Sequence, residues 1–360
     1  GWSKRTAARG AAKQAVAFEL ACKNGEVLNR AQEREKAAQE AAEAAKLKTV
    51  RQYADGVFMP TKEATFSENA RSSYRMFLDK HIFPVLGDVL LTVVTPAMLQ
   101  KLLVDFQRAG YAHATAVKLY NILNGLFEMA FLDDSIPMNP MLKVKRPAPR
   151  KGEQPKEESD KAYTVKELGY ILSCAAQEPL QWQTYISLAA DTGLRRGECC
   201  GLQWSDIDFK AGTVTVRRNL QYTVAAGIYA TSPKNGKVRV VDVGPDVLAL
   251  LKHLREEQAQ SCISKWCFTQ EGTAEPMHPQ SPTRYFQKFG KRYNVKDFHP
   301  HKLRHSPASI AIVHGADVVS VSERLGHSDT AVTLRMYAHA NEESIRRAGQ
   351  IVRDVLKQSV

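Results

Sequence analysis

The sequence predicts a mainly α-helical protein carrying a small antiparallel β-sheet, an α+β chain of two folded domains. Apolar residues recur at helical spacing through most of the chain, with cap and stop residues between the stripes. Only residues 212–224 and 236–244 alternate with a period of two. Between the two helical regions runs a stretch of prolines and charges that fits neither period. At 360 residues the chain exceeds what one hydrophobic core usually supports, and its 44% hydrophobic content can build more than one.

Residues 1–48 read as an exposed helical arm. The run AQEREKAAQEAAEAAKLK contains no proline or glycine, so it forms helix readily but offers little to a core. Gly1 in place of Met fits either a missing upstream segment or processing. The start lacks the apolar centre of a secretory signal, and no run of about 18 apolar residues suggests a membrane span.

Residues 49–146 form the first domain, with about four packed helices expected. Tyr74, Phe77, Leu78 and Ile82 make one stripe, stopped by Pro84 and Gly87. Thr95 caps the next helix with Pro96 at its first position, and Gly110 closes it. Val117, Tyr120, Leu123, Leu126, Phe127 and Ala130 make the last stripe. Residues 147–162 then read as an extended linker. Around its start lie Lys143, Lys145, Arg146, Arg150 and Lys151, which suit a strap laid along phosphates.

The second domain, residues 163–342, opens at Thr164 and Glu167 with capping-box spacing. Two helices lead into short antiparallel strands marked by Val214 with Val216 and by Val238 with Val240. The Asn-Gly of SPKNGKV signals a hairpin turn. Helices follow to the end, and residues 343–360 form an amphipathic tail that could close its own domain or dock on a neighbouring subunit.

Charge narrows the partner. Lys and Arg number 50 against 38 Asp and Glu, a formal +12, which favours a polyanion because neutralised phosphates release counterions. The six cysteines show no CxxC pair, so reduced thiols in a cytoplasmic protein fit better than a disulfide framework or zinc ribbon.

HKLRH, residues 301–305, is the densest functional signal. His301 and His305 share a helix face at the spacing of a zinc helix, but Lys302 and Arg304 occupy the same turn and no carboxylate balances a metal. An anion fits better. His301 and Arg304, three apart, offer an imidazole and a guanidinium fork that matches two phosphate oxygens. Arg195 follows Asp-Thr-Gly, where the chain turns into a helix. Two arginines on one phosphodiester would hold its oxygens as charge builds.

TGLRRGECCGLQWSDIDF, SPKNGKVRVVDV, HKLRH and SERLGHSDTAVTLRMYAHA stand in the order and approximate spacing of the tyrosine recombinase (integrase) family. The match spans about residues 163–345, and HIFPVLGDVLLTVVTP with IPMNPMLKVKRP resembles the family's core-binding domain. Most similar are integrases of phages and conjugative transposons. The resemblance implies a helical core-binding domain and a mixed catalytic domain clamped around double-stranded DNA, working as a homo-tetramer, with an accessory DNA-bending or excision factor as an expected partner. It assigns catalysis to Arg195, Lys234, His301, Arg304, His327 and the nucleophile Tyr337. Lys302 replaces the aspartate usual between the histidine and the leucine, and Pro307 stands where the family is threonine-rich.

Attack by Tyr337 on phosphorus would give a 3′-phosphotyrosyl link and a free 5′-hydroxyl, with Lys234 as the implied general acid, His301 assisting proton transfer and His327 holding the phosphate or orienting its neighbours. The covalent link conserves the bond energy, so no metal, ATP or other cofactor is called for, and no phosphate-binding GxxxxGK[ST] loop occurs. Two rivals stand beside a site-specific recombinase. A type IB topoisomerase-like nicking enzyme shares the chemistry without exchanging partners. A DNA-binding regulator with a dead centre would need to lose chemical competence at one of these six positions.

Overall fold

The computed structural model of the protein describes residues 20–21, 47–150, 153, 162–233 and 236–326. Most of the expected arm, Lys151, Lys234, His327, Tyr337 and the 343–360 tail lie outside the described residues. The chain divides into two compact units, Gly1–Glu153 and Gln154–Val360, each with its own buried apolar core. Among the described residues no helix is long and apolar enough to cross a membrane.

The first unit begins with α1 (Val50–Tyr53), capped by a Thr49–Gln52 box, and runs through a π-helical turn, Ala54–Phe58, into α2 (Met59–Glu63). Likewise α3 (Glu68–Phe77) continues through the π-helical turn Leu78–Ile82 into α4 (Phe83–Leu86). Of the two stops expected together, Gly87 holds, as the C-cap after Leu86, while Pro84 lies inside the helix. Proline lacks an N–H and its ring collides with the carbonyl four residues back. In both helices the widened turn ends just before a proline: Met59 N donates to Ala54 O ahead of Pro60, and Phe83 N to Leu78 O ahead of Pro84. One i→i+5 turn thus lets each helix run through its proline.

Helix α5 (Pro96–Arg108) starts as its sequence predicts, with Thr95 Oγ1 accepting from Met98 N, and Gly110 beyond it takes φ +91°. Helix α6 (His113–Leu132) buries Ala116, Leu119, Ile122, Leu123, Leu126, Phe127 and Ala130. The expected face is correct from Leu123 onward but rotated in the first turns, where Val117 and Tyr120 are only half-buried. The beginning of the expected linker is pinned rather than free. Gln107 Nε2 donates to Ala148 O at 2.9 Å, and Glu153 Oε1 accepts from His113 N at 2.8 Å. That carboxylate meets an N–H that α6 itself leaves unpaired.

The second unit is built around α8 (Leu180–Thr192), which packs against α7 (Val165–Ala175), α10 (Pro245–Ser261) and α12 (Pro300–Val313). Such a helix must be apolar nearly all round, and Tyr185, Ile186, Leu188, Ala189 and Ala190 are all buried. The short α9 (Arg196–Cys200) lies on the strand Asn219–Thr223, α11 (Ser281–Arg292) precedes α12, and α13 (Val318–Leu325) packs on α12 and on the strand Arg239–Asp242.

Strands β1 (Ile207–Asp208), β2 (Thr213–Val216) and β5 (Arg239–Asp242) form one antiparallel sheet, ordered β1-β2-β5. Strands β3 (Asn219–Thr223) and β4 (Gly227–Thr231) form a separate hairpin. Val214 and Val216 point inward, whereas Val238 and Val240 are exposed, and Val241, opposite Val214, faces the core. A period-two run has two faces, and alternation alone does not choose between them. The Asn-Gly turn also differs from expectation. Gly236 takes φ +68° and donates to Pro233 O, yet β4 pairs with β3 and β5 with β2, so among the described residues no strand pair flanks this turn.

Candidate active site

Helix α8 ends at Gly193, whose φ of +64° is the left-handed conformation that frees the chain to turn. Arg195 then sits at the N-cap of α9. A Cβ at Gly197 would lie 2.3 Å from the Leu220 carbonyl oxygen, so only glycine lets α9 rest directly on β3. Glu198 is thereby carried into the interior, where its side chain is fully enclosed.

The Glu198 carboxylate organises three arginines. It accepts from Arg195 N at 2.8 Å and Arg195 Nη1 at 3.0 Å, and from Arg239 Nη1 and Nη2 at 2.9 and 2.7 Å. Arg304 Nη1 stands 3.9 Å away. Burial alone would raise this carboxyl, but the Arg239 hydrogen bonds and charge, the Arg304 charge and the Arg195 N–H bring it down to about 2.

Arg304 arrives on α12, whose first turn is set by Pro300 and by the His299 ring accepting from Lys302 N. Pro307 does not interrupt α12, which continues to Val313. Its neighbour Ser306 ties the helix in place, donating to Lys302 O at 2.8 Å and accepting from Tyr163 N at 2.8 Å. Arg304 is 2% exposed and donates to the carbonyls of Gly193 and Leu325. Burial first, then the Arg195 charge, lower its pKa to about 9, which leaves it cationic at neutral pH.

The C-terminal end of α13 completes the cluster. Leu325 O accepts from Arg304 Nη2 at 2.6 Å and from Arg195 Nη1 at 3.5 Å. Gly326 O accepts from Arg195 Nη2 at 2.7 Å, and Arg324 O from Arg239 Nε at 3.2 Å. A helix C-terminus leaves its last carbonyls unpaired and partly negative, so three guanidinium groups suit it. His327 follows Gly326 directly in the chain.

Arg195 and Arg304, two of the six expected catalytic residues, therefore converge on one carbonyl oxygen. His301, exposed at the start of α12, is held below the ordinary imidazole pKa by partial burial and then by the charges of Arg304, His299, Arg196 and Arg195. Of the basic run in the first unit, Lys143, Lys145 and Arg146 are exposed, while Arg150 is bridged to Glu153 at 3.2 Å. Among the described residues no group of three or more His, Cys, Asp or Glu is placed to hold a metal ion.

Sequence reasoning missed Glu198 and Arg239. Glu198 had a local signal, since it stands three residues after Arg195 at capping-box spacing and a carboxylate so near two arginines invites pairing. Arg239 had none, because its partners come from α9 and α13.

Residues 162–344 match the family described as the Phage integrase family. Among curated relatives, the ICEBs1 integrase of Bacillus subtilis is 24% identical over 296 residues, covering 79% of this chain and 77% of that protein. A putative prophage phiRv2 integrase of Mycobacterium tuberculosis is 29% identical over 298 residues, covering 80% and 74%. Among solved structures, a Tn1549 transposon integrase in complex with a circular intermediate DNA superposes with a TM-score of 0.71 at 21% identity, over 84% of this chain and 99% of that one. A lambda integrase tetramer bound to a Holliday junction gives 0.64 at 19% identity, over 88% of each. A matched segment holding the Arg195–Glu198 turn, the Arg304 helix and the α13 terminus leaves one conclusion: the chain belongs to the phage integrase family and is a tyrosine-type site-specific recombinase.

Proposed function

We propose that this recombinase joins and excises the ends of a mobile genetic element, acting on double-stranded DNA as a homo-tetramer in the bacterial cytoplasm. The observation that carries the reading is the meeting of Arg195 and Arg304 on the Leu325 carbonyl, beside the shared Glu198 anchor. Two fixed guanidinium groups aimed at one oxygen are what a phosphodiester acquiring negative charge requires.

In this reading the Tyr337 oxygen attacks phosphorus and forms the O–P bond as the bond to the 5′-oxygen breaks. Arg195 and Arg304 neutralise the non-bridging oxygens. Lys234 delivers a proton to the departing 5′-oxygen, His301 assists proton movement at the phosphate, and His327 hydrogen-bonds it. A 5′-hydroxyl from a second strand then attacks the phosphotyrosine, restoring the phosphodiester and the phenol. Lys143, Lys145, Arg146, Arg150 and Lys151 contribute phosphate contacts that fix register rather than sequence. The relatives' names, an integrase of ICEBs1 and a prophage integrase, support the mobile-element role. The tetramer seen in the lambda integrase structure supports the assembly.

A nicked suicide substrate tests this directly. The protein should become covalently attached to DNA, and Tyr337→Phe should abolish the adduct while still binding DNA. An adduct that persists in the Phe variant would remove Tyr337 from its role.

A further inference from the structure

We propose that Arg239, outside the expected catalytic set, is a positioning residue that aims the Arg195–Arg304 pair at the scissile phosphate. This rests on the recombinase reading above and adds to it a control point on strand β5.

The distances show where Glu198 spends its hydrogen bonds. Among the described residues its only two-pronged side-chain partner is Arg239, at 2.7 and 2.9 Å, whereas Arg195 reaches it with one guanidinium nitrogen at 3.0 Å and Arg304 comes no nearer than 3.9 Å. A bidentate pair fixes the carboxylate plane, so the direction in which Glu198 presents Oε1 to Arg195 is set from β5. The Arg239 side chain is 12% exposed, and the carboxylate it holds is sealed from solvent.

The same guanidinium grips the other side of the cluster. Arg239 Nε donates to Arg324 O, and a Cβ at Gly326 would meet Arg239 Nη1, Cζ and Nε at 3.0–3.1 Å. Gly326, held at φ +66°, therefore lies flush against the Arg239 plane. The carbonyls of Leu325 and Gly326 that orient Arg304 and Arg195 belong to this turn. Arg239 thus holds both supports of the two phosphate-binding arginines, the carboxylate beneath them and the carbonyls beside them. It has no need to touch DNA. Misplacing a reacting group by about 1 Å can cost on the order of 10²-fold in rate.

The test uses the full-length protein and two suicide substrates, one ordinary and one with a methylphosphonate at the scissile position. The methyl group removes one charged non-bridging oxygen and with it part of the demand for fixed cations. Arg239→Met should slow cleavage of the ordinary substrate by about 10²-fold at unchanged DNA affinity, and by at most about tenfold with the methylphosphonate. Arg239→Lys keeps the charge but loses the fork, and should stay nearer Met than wild type. Thermal melting and DNA binding of each variant separate aiming from folding. An equal slowing on both substrates, or full rescue by Lys, would overturn the proposal. Wild-type protein and Tyr337→Phe run in parallel: if wild type forms no Tyr337 adduct, the recombinase mechanism itself fails, whereas a normal adduct with unresponsive Arg239 variants sinks only this inference.

Discussion

Glu198 shows what a buried charge requires. Enclosed and unpaired it would protonate; surrounded by arginines its carboxyl sits near 2 instead of the free value of 4.5. The stabilisation from this depressed pKa is complete above pH 4.5 and is lost as pH falls towards 2, amounting to on the order of 3 kcal/mol. Glu198→Gln should therefore cost about 3–5 kcal/mol at neutral pH, because it strands buried guanidinium charge, and should flatten the decline in stability across that acid window. Urea unfolding at a series of pH values reads both effects, and an unchanged acid slope would deny Glu198 its role. His301 behaves in the opposite charge sense. Burial and nearby cations hold its pKa below 6.5, so the imidazole is neutral at neutral pH and able to accept a proton. Arg196→Ala removes one of those cations and should move the His301 titration upward, measured by NMR on protein carrying Tyr337→Phe.

At the scale of elements, α9 is the clearest case of a short segment fixed by one residue. A Cβ at Gly197 would lie 2.2 Å from Asn219 Oδ1 and 2.3 Å from Leu220 O, and the second atom is backbone. Gly197→Ala should push α9 off β3 and destabilise the protein by about 1–3 kcal/mol. Cleavage should fall further than stability alone explains, because Glu198 rides on the same turn. Equal melting temperatures for variant and wild type would contradict the close contact. The sequence made the Thr164 box, the Thr95–Pro96 start and the Gly193 stop legible, since each is encoded within a few residues. It marked strands near Val214 with Val216 and near Val238 with Val240 but not which face is buried, because that choice is made by β2 across the sheet. The Gly87 stop was legible too, but the passage through Pro84 was not, because a proline is more often a stop than the sign of a widened turn before it. The site divides in the same way: Arg195 and Arg304 were readable from motif and spacing, but Arg239 acquires meaning only when β5, α9 and α13 come together.

At the scale of the whole molecule, each unit encloses a core of its own residues. In the first unit, Phe58, Leu99, Leu123 and Phe127 are among the members; in the second, Tyr185, Val214, Phe268 and Phe286 are. The four tryptophans are unevenly placed, with Trp182, Trp204 and Trp266 in the second unit and Trp2 in the first. In protein carrying Trp2→Phe, tryptophan fluorescence therefore reports the second unit alone, while far-UV circular dichroism sees helices of both. Phe127 is fully buried on α6, and Phe127→Ala should destabilise the first unit by about 3–5 kcal/mol. In urea the circular dichroism of this variant should develop an earlier transition while the fluorescence midpoint stays where it was. Separate cores make separate cooperative blocks, so each unit should melt in its own transition. If fluorescence and circular dichroism instead shift together, the two cores melt as one cooperative block and their independence is refuted.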